Sequence, residues 1–185
     1  MYLEVHENIE SKMKRTVKAF NEELKTIRAG RANPSLLDKI MVNYYGSATP
    51  LNQIANISVP EARQLLISPW DANSLVEIEK AIQKSDLGLN PSSDGKTIRL
   101  IIPQLTEESR RDMIKTLGKI AEASKVAIRN ERRNGNDELK KLNKKGELSD
   151  DELIKAEDKV QKLTDTYIKE IDRLAKEKEA ELLEV

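Results

Sequence analysis

Between Thr106 and about Lys145 the chain carries one continuous amphipathic helical pattern, and at ~1.5 Å per residue it predicts a rod roughly 60 Å long. A compact chain of 185 residues has a radius of gyration near about 16 Å. The rod cannot be wrapped inside such a globule, so the molecule is expected to be elongated and bent at a hinge. Thr106 with Glu107 and Glu108 marks the start, because a hydroxyl caps free amides and carboxylates favour the positive helix end. Gly146, beside Lys144 and Lys145, breaks the pattern.

Two more segments share this period. Val5, Ile9, Met13, Thr16, Phe20, Leu24 and Ile27 predict a first helix that Gly30 stops and Pro34 keeps from resuming. After Gly146, Ser149-Asp150-Asp151-Glu152 reads as a capping box, and Leu153, Ala156, Val160, Leu163, Tyr167, Ile171 and Leu174 form the seam of the helix it opens. None of these stripes can be buried alone, which predicts a three-helix bundle. Residues 37–102 differ: runs at 39–45, 54–59 and 63–68 end at Gly46, Pro60 and Pro69, residues 72–85 suit a helix, and Asp94-Gly95 precedes a hairpin return at 97–102. The expected class is α+β, an elongated three-helix bundle of residues 1–30 and 105–185 with an inserted β/α/β module of residues 31–104. The two crossings, Gly30, Ala32, Asn33 and Pro34 on one side and Pro103, Gln104 and Leu105 on the other, are short, rich in breakers and suited to a hinge.

Composition excludes several chemistries. There is no cysteine, so disulfides, thiolate metal sites and cysteine nucleophiles are ruled out, and the cytoplasm is the expected compartment. No apolar run approaches the ~20 residues of a membrane span, and 35% charged with 3% aromatic residues suits exposed helices around slender cores. Gly95-Lys96-Thr97 lacks the upstream glycine and the following helix of a phosphate loop. His6 begins a zinc-protease-like run without its second histidine and is read as a surface residue, no acid pair stands out as catalytic, and Trp70 is read as core.

Charge is the informative feature. Residues 105–145 hold 12 Lys and Arg against 7 Asp and Glu, whereas 146–185 hold 7 against 13, so a neutral chain contains a basic rod and an acidic one. Lys125, Arg129, Arg132, Arg133 and Lys140 recur at helical spacing, away from Leu117, Ile120, Ser124, Ala127, Ile128, Leu139 and Leu142. Arginine's planar fork suits RNA phosphates. The same asymmetry equally suits pairing between neighbouring helices, and a helical adaptor for protein partners is the competing function. Arg28 and Arg31 flank Gly30, where they compensate a helix end and would be placed to join an RNA contact.

Residues 25–37 (KTIRAGRANPSLL), Tyr44-Tyr45-Gly46 with Thr49-Pro50-Leu51, residues 85–91 (SDLGLNP), 105–108 (LTEE), 126–133 (VAIRNERR) and 161–165 (QKLTD) closely resemble, in order and across essentially the whole chain, the bacterial ribosome recycling factor family. The resemblance implies a bundle and module joined by a flexible double linker into an L shape like tRNA. It implies a non-enzymatic, monomeric factor without cofactor or metal. Such a factor binds the post-termination ribosome and, with elongation factor G and the GTP that factor hydrolyses, splits it into subunits and releases mRNA and tRNA. The bundle would lie on large-subunit rRNA at the inter-subunit face, with Arg132 leading, Arg129 and Arg133 supporting, and Arg28, Arg31 and Arg110 joining near the hinge end. One departure is Gly135, where the family often has alanine; at about 1 kcal/mol relative to alanine it reads as a soft point whose replacement by alanine should stabilise.

Overall fold

The structure, a computed structural model, describes residues 3–27 and 30–184. In chain order its elements are α1 (Glu4–Thr26), β1 (Met41–Tyr44), β2 (Ser47–Pro50), β3 (Ala55–Glu61), β4 (Gln64–Pro69), α2 (Leu75–Lys84), β5 (Ser92–Ser93), β6 (Ile98–Ile101), α3 (Glu107–Lys144) and α4 (Asp150–Leu183). They form two units, residues 1–28 with 107–185, and residues 29–106.

In the first unit the three apolar stripes meet along one seam. Ile9, Met13, Phe20 and Leu24 of α1 are buried with Leu117, Ala121, Ile128 and Leu139 of α3 and Ala156, Val160 and Ile171 of α4. Thr164 joins them because its hydroxyl donates to the Val160 carbonyl at 2.8 Å. α1 ends at Thr26, before the expected Gly30: the Thr26 hydroxyl donates to the Glu23 carbonyl at 2.6 Å, and Ile27 leaves the helix at φ −83°, ψ 114°. Between α3 and α4, Glu147 N–H reaches the Leu142 carbonyl at 3.0 Å and Gly146 N–H the Asn143 carbonyl at 2.9 Å, a Schellman closure with Gly146 at φ +78°. The expected capping box follows, Glu152 N–H to Ser149 Oγ at 3.3 Å and Ser149 N–H to Glu152 Oε2 at 2.9 Å.

His6 is fully buried, not a surface residue. Its Nδ1 accepts the Leu3 N–H at 3.0 Å, which leaves the proton on Nε2, 3.0 Å from the Ala156 carbonyl, so the ring ties the start of α1 to α4. It shares the inward face of α1 with Ile9 and Met13. Gly135 is no soft point but a notch: a Cβ there would stand 2.0 Å from Ile9 Cδ1 and 2.9 Å from Ile9 Cγ1.

The second unit has two antiparallel sheets where one was expected, a β1–β2 hairpin and a four-stranded sheet ordered β3-β4-β6-β5. Leu65 and Ile67 of β4 and Ile98 and Leu100 of β6 alternate inward and share one core with Val42, Leu51, Ile54, Leu75, Ile78 and Ile82. The run expected to end before Pro60 continues to Glu61. β3 is an edge strand whose register shifts between Ser58 and Glu61, the setting in which a residue without an N–H is tolerated. Trp70 is 70% exposed, not core, because it falls on the outward parity of β4, three residues beyond inward Ile67.

Candidate nucleic-acid interface

Arg110, Arg129, Arg132 and Arg133 stand on α3, the last three within one helical turn and Arg110 roughly 30 Å away along the axis. Arg31 opens the module and is exposed. Arg28 lies outside the described residues.

The stripe is not uniformly free. Lys125 pairs with Asp172 of α4, and Lys140 Nζ lies 4.0 Å from Glu157 of the same helix, so these two cations face the acidic rod. Charge asymmetry between the helices is thus partly answered within the bundle. Arg129 Nη1 meets Glu122 Oε1 at 3.0 Å on its own helix. A partly exposed pair of this kind is worth about 0–1 kcal/mol, and a phosphate could exchange for the carboxylate at little cost.

Arg132 is held differently. Its Nη1 donates to Gln161 Oε1 of α4 at 3.4 Å, and Gln161 Nε2 donates in turn to Asp165 Oδ1 at 2.9 Å. A neutral carbonyl orients the guanidinium without neutralising it, and leaves most of its donor fork for a planar, bidentate partner. Arg133 is exposed, and neither it nor Arg110 has a hydrogen bond or ion pair among the described residues. The acid between these arginines, Glu131, is compensated from α1 by Lys12 Nζ at 3.4 Å. The face therefore gathers Arg129, Arg132 and Arg133 as a compact cationic group. Among the described residues, no cluster of three or more His, Asp or Glu could hold a metal ion, and no helix is long and apolar enough to cross a membrane.

The expected hinge residues lie along one side of the module. Ala32 N–H donates to the Ala62 carbonyl at 2.8 Å, Ile102 N–H to the Arg63 carbonyl at 2.7 Å, and Arg63 Nη1 to Gln104 Oε1 at 3.4 Å. Gly30 sits at φ +72°, where a Cβ would come within 3.2 Å of Leu105 Cγ, so the two strands of the crossing approach closely. Asn33 accepts from Ser35 N–H at 3.0 Å and caps the turn that Pro34 begins; Asn33, Pro34, Pro103 and Gln104 are exposed.

A family profile described as ribosome recycling factor matches residues 20–183. The chain belongs to the ribosome recycling factor family. It is 58% identical to the ribosome-recycling factor of Clostridioides difficile (strain 630) and 54% identical to that of Bacillus subtilis (strain 168), in both cases over 185 residues and the whole of each chain. A solution structure of the ribosome recycling factor is 40% identical with a TM-score of 0.77 over all of both chains. A second structural relative comes from models of the T. thermophilus ribosome recycling factor and the E. coli elongation factor G bound to the E. coli post-termination complex; it is 46% identical, with a TM-score of 0.65 over 98% of each chain. Ribosome recycling factors are translation factors, not enzymes. Within this member the residue that sequence reasoning did not single out is Gln161. Its signal was present in the 161–165 block, but its bond to Arg132 joins positions 29 residues apart on two helices.

Proposed function

We propose that this chain binds the post-termination ribosome and, together with elongation factor G and GTP, splits it into subunits and frees mRNA and tRNA, acting in the cytoplasm. The bundle anchors to phosphates of large-subunit rRNA at the inter-subunit face through Arg132, with Arg129 and Arg133 beside it and Arg28, Arg31 and Arg110 extending the contact towards the linkers. The module moves about the two crossings and carries force from elongation factor G to the bridges between subunits. The observation that carries the anchor is Arg132, oriented by a neutral glutamine while neighbouring lysines are engaged by α4. An adaptor using the acidic helix is less well supported, since Asp172 and Glu157 are already directed at α3.

Phosphate contacts release counterions, so ribosome affinity should fall steeply with salt, and Arg132→Ala should flatten the log–log salt slope by about 1. Co-sedimentation with ribosomes across a salt series measures this. An equal slope in the variant would remove Arg132 from the phosphate contact.

A further inference from the structure

The β1–β2 hairpin turns through Tyr45 and Gly46, with Tyr44 paired to Ser47. Both central residues have positive φ, +49° and +81°, as a type I′ turn requires. Asn-Gly is the pair favoured there, and a bulky first residue is strained. Here that residue is a tyrosine that is 75% exposed. Its ring packs edge-on against Tyr44, centroids 4.6 Å apart, and its hydroxyl donates to the Asp71 carboxylate. Trp70, the chain's sole tryptophan, directly precedes Asp71 and is likewise exposed. Neither burial nor turn preference accounts for these two aromatic side chains in water, and one exposed hydrogen bond contributes little to holding the hairpin.

What the place offers is a carboxylate bonded by the hydroxyl of one exposed ring, Tyr45, and preceded directly in the chain by an exposed indole, Trp70. Asp71 Oδ1 also accepts the Asn73 N–H at 3.0 Å, and the bonds from Tyr45 and Asn73 hold the carboxyl below its ordinary range, so it is charged at neutral pH. The same contact pushes the Tyr45 phenol up, so that ring stays neutral. Negative charge repels a phosphate backbone, whereas a guanidinium is attracted by carboxylate and ring faces together.

We propose that Tyr45, Trp70 and Asp71 form a docking point for a basic segment of a protein partner, taking an arginine side chain against the rings and the carboxylate. The site stands independently of the arginines of α3 and of the recycling reading.

Because Trp70 is the sole tryptophan, its emission reads the site directly in the full chain. The chain is titrated at low salt with an acetylated, amidated peptide of alternating arginine and glycine, with the same peptide carrying serine for arginine, and with hexauridylate. The expected result is a saturable change for the arginine peptide alone, weakened about fivefold in Asp71→Asn, which keeps an oxygen for the Tyr45 hydroxyl. Tyr45→Asn, which installs the favoured turn pair, should weaken binding similarly while the melting temperature holds or rises. No change with the arginine peptide, an equal change with the serine peptide or hexauridylate, or undiminished binding in both variants would overturn the proposal. An equal response to hexauridylate would assign the patch to RNA.

Discussion

At Gly135 the absence of one methyl group sets how closely α1 approaches α3. Helix propensity alone favours alanine by about 1 kcal/mol, but the added Cβ would have to displace buried Ile9 from 2.0 Å, and overpacking costs about 1–3 kcal/mol. Gly135→Ala should therefore lower stability by up to about 2 kcal/mol in urea unfolding, and Ile9→Val in that background, which removes Cδ1, should recover most of the loss. A stabilised single variant would contradict the packing account. Sequence reasoning saw the propensity and not the notch, because the neighbour that decides the sign lies on another helix. His6 was misread for the same reason, its partner Ala156 being 150 residues away. Asp94 shows a residue whose chemistry is local. Its carboxylate accepts the Lys96 and Thr97 N–H groups at 2.9 and 2.7 Å and the Thr97 hydroxyl at 3.0 Å, and these bonds lower its pKa to about 2. A depressed carboxyl contributes stability that is present above its unfolded value and lost as pH falls towards the folded one. The contribution of this turn should thus fade between about pH 4 and pH 2. Carboxyl NMR titration should place the Asp94 midpoint near 2, and a midpoint near 4 would mean the turn's bonds do not form.

Elements were legible in proportion to their length. The three bundle helices were read from stripes that repeat over many turns, and the capping box at Ser149 was read from four residues because cap chemistry is contained in them. Ser149→Ala should cost about 1 kcal/mol and fray the start of α4, seen as faster amide exchange over residues 150–154. Unchanged exchange there would mean that Asn143, which also donates to Asp150 Oδ1 at 3.0 Å, holds the end by itself. The strands were harder. β5 is two serines with no apolar alternation to betray it, and the hairpin that makes the second sheet turns on Tyr-Gly instead of the Asn-Gly pair that usually marks such turns. Pro60 reads in the sequence as a strand end, whereas an edge bulge accommodates it. The helix expected over 72–85 begins only at Leu75, after a 3-10 turn at Ala72–Ser74 capped by Asp71.

For the whole molecule, the basic and acidic rods explain one another only in part. Lys125 and Lys140 answer the acids of α4, while Arg132 and Arg133 retain charge for an outside partner. The cationic group was legible as a stripe, but which members are available was not, since availability depends on the facing helix. Family membership and this residual charge converge on the same proposal, a factor anchored to rRNA phosphates and acting with elongation factor G. The most direct test follows post-termination ribosomes by light scattering with elongation factor G from the same source and GTP, comparing the native chain with Arg132→Ala. The account predicts rapid splitting by the native chain and splitting at least about tenfold slower in the variant, the rate equivalent of a lost charge-assisted contact. Failure of the native chain to split ribosomes, or equal rates for both proteins, would contradict it.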